Sequence, residues 1–186
     1  NDLQHTITGW PGGKPNADDS TRPERANPYP KRVLIFSPHP DDDVISMGGT
    51  FARLVEQGHD VHVAYETSGN IAVLDDYIYQ QMDIAASFTR LVGGDTKTMD
   101  AAFEKVKQII ANRKPEDDEP AELLPFKGAL RRAEARGADR YLGIPENHVH
   151  FLNLPFYETG SVKKNPLGQA DVDIIVKLLR EVKPHQ

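Results

Sequence analysis

The chain of 186 residues has no cysteine. That excludes disulfides and thiolate zinc sites, and leaves histidine and carboxylate as the strong metal ligands. No apolar run approaches the roughly 20 residues of a membrane span, and no basic start, apolar middle and small-residue cleavage site marks a signal peptide. A long Lys/Arg block is also missing: 28 acidic residues face 22 basic ones, the formal charge is −6 and the pI is near 5.6. Phosphate backbones are bound by clustered basic charge, which argues against a nucleic-acid surface, and the expected ligand is a small molecule rather than a polyanion. A soluble, cytoplasmic protein is the default expectation. At 38% hydrophobic residues the chain can build one core of moderate size. It starts at Asn1 rather than Met and stops at Gln186 straight after an amphipathic run, so a piece of a longer protein is expected.

What is present is concentrated in Val33-Leu34-Ile35-Phe36-Ser37-Pro38-His39-Pro40-Asp41-Asp42-Asp43. A short apolar run, read as a buried strand, empties into a histidine and three aspartates, a loop suited to a divalent metal and a base. Carboxylates crowded together repel, and a cation relieves that repulsion. Pro38 and Pro40 remove two backbone donors and stiffen the loop. The plainer alternative is that the aspartates only cap the next helix, for which one would suffice.

Residues 1–30 are rich in proline and glycine and read as a connector on a surface. Beyond them the pattern predicts a strand over Arg32–Phe36 and a helix over Val44–Gln57, with Val44, Met47, Phe51, Leu54 and Val55 inward and Gly58 as terminator. A second strand over Val61–Tyr65 turns at Thr67–Asn70. Two helices, Asp75–Val92 and Thr96–Asn112, broken at Gly93-Gly94, make an inserted hairpin spanning about residues 71–125. A helix over Lys127–Leu142, a strand over His148–Leu152 and a helix over Ala170–Val182 complete the pattern. The alternation predicts an α/β fold, a Rossmann-like doubly wound and mostly parallel sheet with a helical insertion, covering residues 31–186. Ligands of such sheets sit at the carboxyl ends of the strands, where His39–Asp43, Thr67–Asn70 and Asn153–Tyr157 converge. Gly48-Gly49 lies inside a helix and makes no GxGxxG, which argues against a dinucleotide; those glycines are expected to allow close helix-to-strand packing.

With these residues placed, the chain resembles the LmbE-like, or PIG-L, family of zinc-dependent deacetylases acting on N-acetylglucosamine-type substrates. That family's His-Pro-Asp-Asp-Glu after a strand is matched by His39-Pro40-Asp41-Asp42-Asp43, and its Arg-x-x-Glu, Ala and Leu-Gly pattern by Arg131, Glu134, Ala138, Leu142 and Gly143. The connector and insertion look similar to copies of this domain joined behind a glucosamine-6-phosphate deaminase domain. The resemblance implies that His39 and Asp42 are ligands of Zn2+, that Asp41 is the general base, and that the substrate is an amino sugar losing its N-acetyl group. It also implies a third ligand, a histidine in a His-x-x-His-like motif after one further strand. No such motif follows the last helix before Gln186, so this chain alone is expected to bind zinc weakly and not to turn over.

Asp43 replaces the family's Glu and is one methylene shorter, so its expected place is a substrate contact or a support behind the ligands. Ser68, Gly69 and Asn70 are candidates for substrate hydroxyls, or simply a turn. Arg131 either pairs with Glu134 on the helix surface or anchors a loop at the site. His148 and His150 share one face of their strand and fit a half-exposed strand better than a metal site; His59 and His62 are expected on the surface. Two other functions stay open. One is a non-catalytic sugar-binding or docking appendage, and the other a magnesium-dependent phosphatase using Asp41 and Asp43.

Overall fold

The computed structural model describes residues 30–114 and 118–186. The connector expected over residues 1–30 lies outside the described residues apart from Pro30, as does part of the segment following the helical hairpin.

Three strands, β1 (Arg32–Ser37), β2 (Asp60–Tyr65) and β3 (Val149–Phe151), form a parallel sheet in the order β1-β2-β3. The register sets Val33 beside Val61 and Val63 beside Val149. Side chains alternate across a strand, so each strand feeds two layers. On one face Val33, Ile35, Val61, Val63 and Tyr65 pack against Phe51 and Leu54 of α1 (Asp42–Glu56) and Ala135 of α4 (Leu124–Leu142). On the other, Leu34 and Ala64 meet Leu178 and Val182 of α5 (Gln169–Val182). Helices on both faces of a parallel sheet make this the Rossmann-like α/β fold that the alternation predicted. The chain after α5 returns to the outer edge of β1: the His185 N–H donates to the Arg32 carbonyl (2.8 Å) and the Leu34 N–H to the Gln186 carbonyl (2.9 Å).

Between β2 and α4, helices α2 (Asp75–Leu91) and α3 (Thr96–Asn112) form a hairpin with a small core of Ile78, Met82, Val106 and Leu123. Gly93, in the left-handed region at φ 69°, ends α2, and the Asp95 side chain caps α3 by accepting from the Lys97 N–H. No helix among the described residues is long and apolar enough to cross a membrane.

Two expectations about α1 need correction. The helix starts at Asp42 and is kinked at Met47 (φ −145°, ψ 21°), so its first turn is rotated off the packed face and Val44 is exposed rather than inward. The glycines do not serve close packing: a Cβ on Gly49 would meet nothing within 4 Å, and one on Gly48 only Val44 of the same helix. Following directly on the kink, they weaken the helix where its ladder is interrupted.

Candidate active site

Each strand of the sheet hands its successor loop to the same edge. Thr67 fastens the loop after β2 to that after β1 through its hydroxyl, which donates to the Pro38 carbonyl (2.7 Å), and the Leu154 N–H donates to the Glu66 carbonyl (2.9 Å). The three adjacent aspartates avoid one another by pointing to three partners. Asp42 Oδ2 accepts from the His39 backbone N–H (3.0 Å) and lies 2.9 Å from His39 Nδ1. Which ring nitrogen carries the proton depends on the tautomer; with Nδ1 unprotonated, this nitrogen and the Asp42 carboxylate face each other closely enough to share one cation. Asp41 stands at the N-terminal boundary of α1, yet makes no cap hydrogen bond; its Oδ2 is 2.9 Å from Nη2 of Arg131. Plain helix capping therefore does not account for it.

Asp43 turns inward and is 2% exposed. Its N–H donates to the Ser37 hydroxyl (2.9 Å), whose proton goes to the His39 carbonyl (2.7 Å), and its Oδ2 accepts from the Tyr65 hydroxyl (2.9 Å). The same hydroxyl lies 3.2 Å from Asp139 of α4. Burial, reinforced by the neighbouring Asp43 carboxylate against the Tyr65 hydrogen bond, pushes the Asp139 carboxyl up to about 7. Burial and the two carboxylates push the Tyr65 hydroxyl well above its ordinary range. Asp43 thus supports the histidine loop from behind. That position does not favour the phosphatase alternative, which needs Asp43 to work with Asp41 at an open surface.

Arg131 answers both expectations at once. Nη1 pairs with Glu134 one turn on (3.1 Å), while Nη2 holds Asp41. Its buried Nε has no hydrogen-bond partner among the described residues. Gly69, at φ 62°, closes over this arginine: a Cβ there would come 3.1 Å from the Pro40 ring and 3.3 Å from Arg131 Nε. Ser68 and Asn70, the candidates for substrate hydroxyls, are tied to Glu158. Both are buried, and their donors are taken by Glu158, which accepts from the Ser68 N–H (2.8 Å), the Ser68 hydroxyl (2.8 Å) and the Asn70 amide (3.1 Å).

Glu158 was not singled out from the sequence, and Tyr157 only as the end of the converging Asn153–Tyr157 loop. Tyr157 sets its ring edge-on to His39 at 5.4 Å, with Lys164 Nζ 3.7 Å above the ring centre. Both belong to a long loop whose return to the site depends on the Phe156 N–H reaching Asp171 of α5 (2.9 Å), a contact 15 residues apart. His59 and His62 are also misplaced by the surface expectation: His59 is buried, and only 12% of the His62 side chain is exposed.

His39 and Asp42 supply one imidazole nitrogen and one carboxylate, a donor pair that suits zinc. They fit such an ion as two of its ligands. No third candidate joins them among the described residues, whose one group of three or more clustered metal-ligand side chains is Asp60, His62 and His148.

A strand-borne His-Pro-Asp-Asp loop over a doubly wound sheet, backed by an arginine from α4, defines the candidate active edge. The chain belongs to the PIG-L family, described as GlcNAc-PI de-N-acetylase, which matches residues 34–186. It is 58% identical over its whole length to a glucosamine-6-phosphate deaminase-like protein of Bacteroides thetaiotaomicron, and spans 28% of that relative. Over 45 residues, 24% of the chain and 17% of the relative, it is 42% identical to the diacetylchitobiose deacetylase of Thermococcus kodakarensis. The chain thus spans well under half the length of these relatives. No solved structure matches it.

Proposed function

We propose that this chain carries the catalytic edge of an amide hydrolase that removes the acetyl group from an N-acetylglucosamine-type amino sugar, as one part of a larger amino-sugar-metabolising protein. In this reading His39 and Asp42 hold Zn2+, and Asp41 is the general base. The observation that carries it is the division of labour among three consecutive aspartates: Asp42 on His39, Asp43 in the core, and Asp41 steered by Arg131 while its side chain stays 44% exposed.

Bound zinc would acidify a water and polarise the acetyl carbonyl. Asp41 takes the proton of the attacking water and passes it to the departing amine, a transfer that depends on direction, and Arg131 fixes that direction. Tyr157 closes the edge beside His39, excluding bulk water from one side of the imidazole. The family match and the deacetylase relative support the reaction class, and the whole-length Bacteroides relative supports a larger parent protein.

The test is zinc-dependent acetate release from N-acetylglucosamine and its chitobiose, with the chain alone and with the chain replacing the matching segment of the Bacteroides relative. Asp41→Asn should lower turnover in the chimera by about 100-fold or more and leave zinc binding by calorimetry intact, whereas His39→Ala should remove both. Undiminished turnover in Asp41→Asn would overturn Asp41 as the base, and no acetate from either protein with zinc present would overturn the proposal in favour of a non-catalytic appendage.

A further inference from the structure

The helical hairpin carries apolar side chains on a face that its own core does not use. In α2, Ile78, Met82 and Ala86 are buried, the first two against Val106 of α3 and Leu123. On the other side of the same helix and at its N-terminal boundary, Leu74, Tyr77, Ile84, Phe88 and Leu91 stand exposed, from 49% for Tyr77 to 84% for Leu91. With Gln81 among them, these positions advance by three and four residues in turn, the spacing of the a and d positions of a heptad. One apolar stripe is enough to dock a helix on a core, and α2 has a second. The outer face of α3 is built differently: Lys97, Asp100, Lys105 and Gln108 are exposed there, and Glu104 pairs with Lys107 at 2.8 Å. Water is the natural neighbour of that face, and another apolar helix the natural neighbour of the α2 stripe.

The stripe is complementary to itself in one orientation. Its six positions and the flanking Gln80, Ala85 and Ser87 carry no charge, so a second α2 can approach without burying one. Laid antiparallel, two copies match Leu74 with Leu91, Tyr77 with Phe88 and Gln81 with Ile84, and every position of the stripe finds a partner. Charge selects this orientation over the parallel one. Asp76, Asp83 and Arg90 recur every seven residues beside the stripe, so a parallel pair sets each against its own kind. An antiparallel pair sets Asp76 across from Arg90 twice, leaves only Asp83 opposite its copy, and opposes the two helix dipoles. Within its own chain Arg90 is held only loosely, 3.9 Å from Asp100 with 61% of its side chain exposed. At these exposures the stripe offers roughly 600 Å2 per copy, which reaches the lower end of specific interfaces.

We propose that the outer face of α2 is a dimerisation surface whose partner is the α2 of a second copy of this chain, packed antiparallel about a two-fold axis that passes between Gln81 and Ile84. A two-fold axis makes the same stripe serve both copies and closes the assembly at two. The two α2 helices then form the inner pair of a four-helix arrangement, with each α3 outside. Gln81 in the central layer fixes the register, since a slip would move its amide from beside Ile84 into a layer of Leu, Tyr or Phe. No residue of the His39–Asp43 edge takes part, so the pairing stands independently of the proposed hydrolysis.

Sedimentation equilibrium of the whole chain should give twice its 20.7 kDa at roughly 100 μM. Ile84→Glu and Phe88→Glu, both at exposed positions, should each weaken association by about 100-fold or more with far-ultraviolet circular dichroism unchanged. Lys105→Ala, on the outer face of α3, should leave association as it is. Orientation is read by cross-linking, which the absence of native cysteine makes clean: Leu74→Cys chains mixed with Leu91→Cys chains should oxidise mainly to the mixed pair. A chain that stays monomeric at this concentration, whatever else covers the stripe, or a dimer that survives both glutamates, overturns the second copy as partner. Leu74→Cys chains that cross-link to one another in preference to the mixed pair overturn the antiparallel packing. Should one glutamate unfold the chain, the other and the cross-link decide.

Discussion

The two ends of one parallel sheet carry clusters of opposite construction. At the carboxyl end, His39, Asp41 and Asp42 fall within four consecutive positions, shaped by their own loop and underpinned by the buried set of Asp43, Tyr65 and Asp139. At the amino end, His62 and His150 are 88 residues apart, are brought together only by strand register, and remain partly open to solvent. A local cluster keeps its composition if the sheet shifts, whereas a one-residue slip of β3 would turn His148 and His150 to the other face. The hydrolytic edge should therefore be sensitive to what lies beneath it, and the histidine cluster to what lies beside it.

The largest effect that would sharpen this contrast is expected from Tyr65→Phe. It deletes the one hydroxyl between two buried carboxylates, and should cost about 3 kcal/mol in urea unfolding. A loss no greater than that of a surface substitution would break the comparison. Asp139→Asn comes next and has a pH signature. With its folded pKa raised to about 7 from an ordinary 3.8, Asp139 keeps its proton in the native state while the unfolded chain releases it. The native protein therefore loses stability as pH rises between these values, and the penalty is complete above about 7. Asp139→Asn should flatten that slope and gain about 2 kcal/mol at pH 8, with little change near pH 4, read from denaturation midpoints across pH. The smallest effect belongs to the other end: His150→Gln should change stability by less than about 1 kcal/mol. A larger loss would mean that this cluster is as deeply rooted as the first.

The sequence made the His39–Asp43 edge legible because its signal is local. An apolar run, two prolines and a histidine with aspartates are read without knowing where any other strand lies, and the βαβ alternation then orders the sheet. What escaped depended on distance or on small rotations. Ser68 and Asn70 looked available until Glu158, some 90 residues later, was seen to occupy their donors. The inward reading of Val44 failed because a single non-helical residue, Met47, rotates the first turn of α1. In the sequence His148 and His150 look like half-exposed strand positions and His62 like a surface one, and only the Val63–Val149 register makes them neighbours.

The return of His185 and Gln186 to the outer edge of β1 gives that edge a direction of travel. The chain there runs parallel to β1, drawing level first with Arg32 and then with Leu34. Any strand laid further along this rail, from whatever source, is steered toward Pro38 and His39, and about five extended residues cover the distance. The edge of β1 thus acts as a ruler, setting which residue of an added strand arrives beside the histidine–aspartate pair, so that a one-residue insertion in that strand would swap the arriving side chain for one facing the opposite side of the sheet.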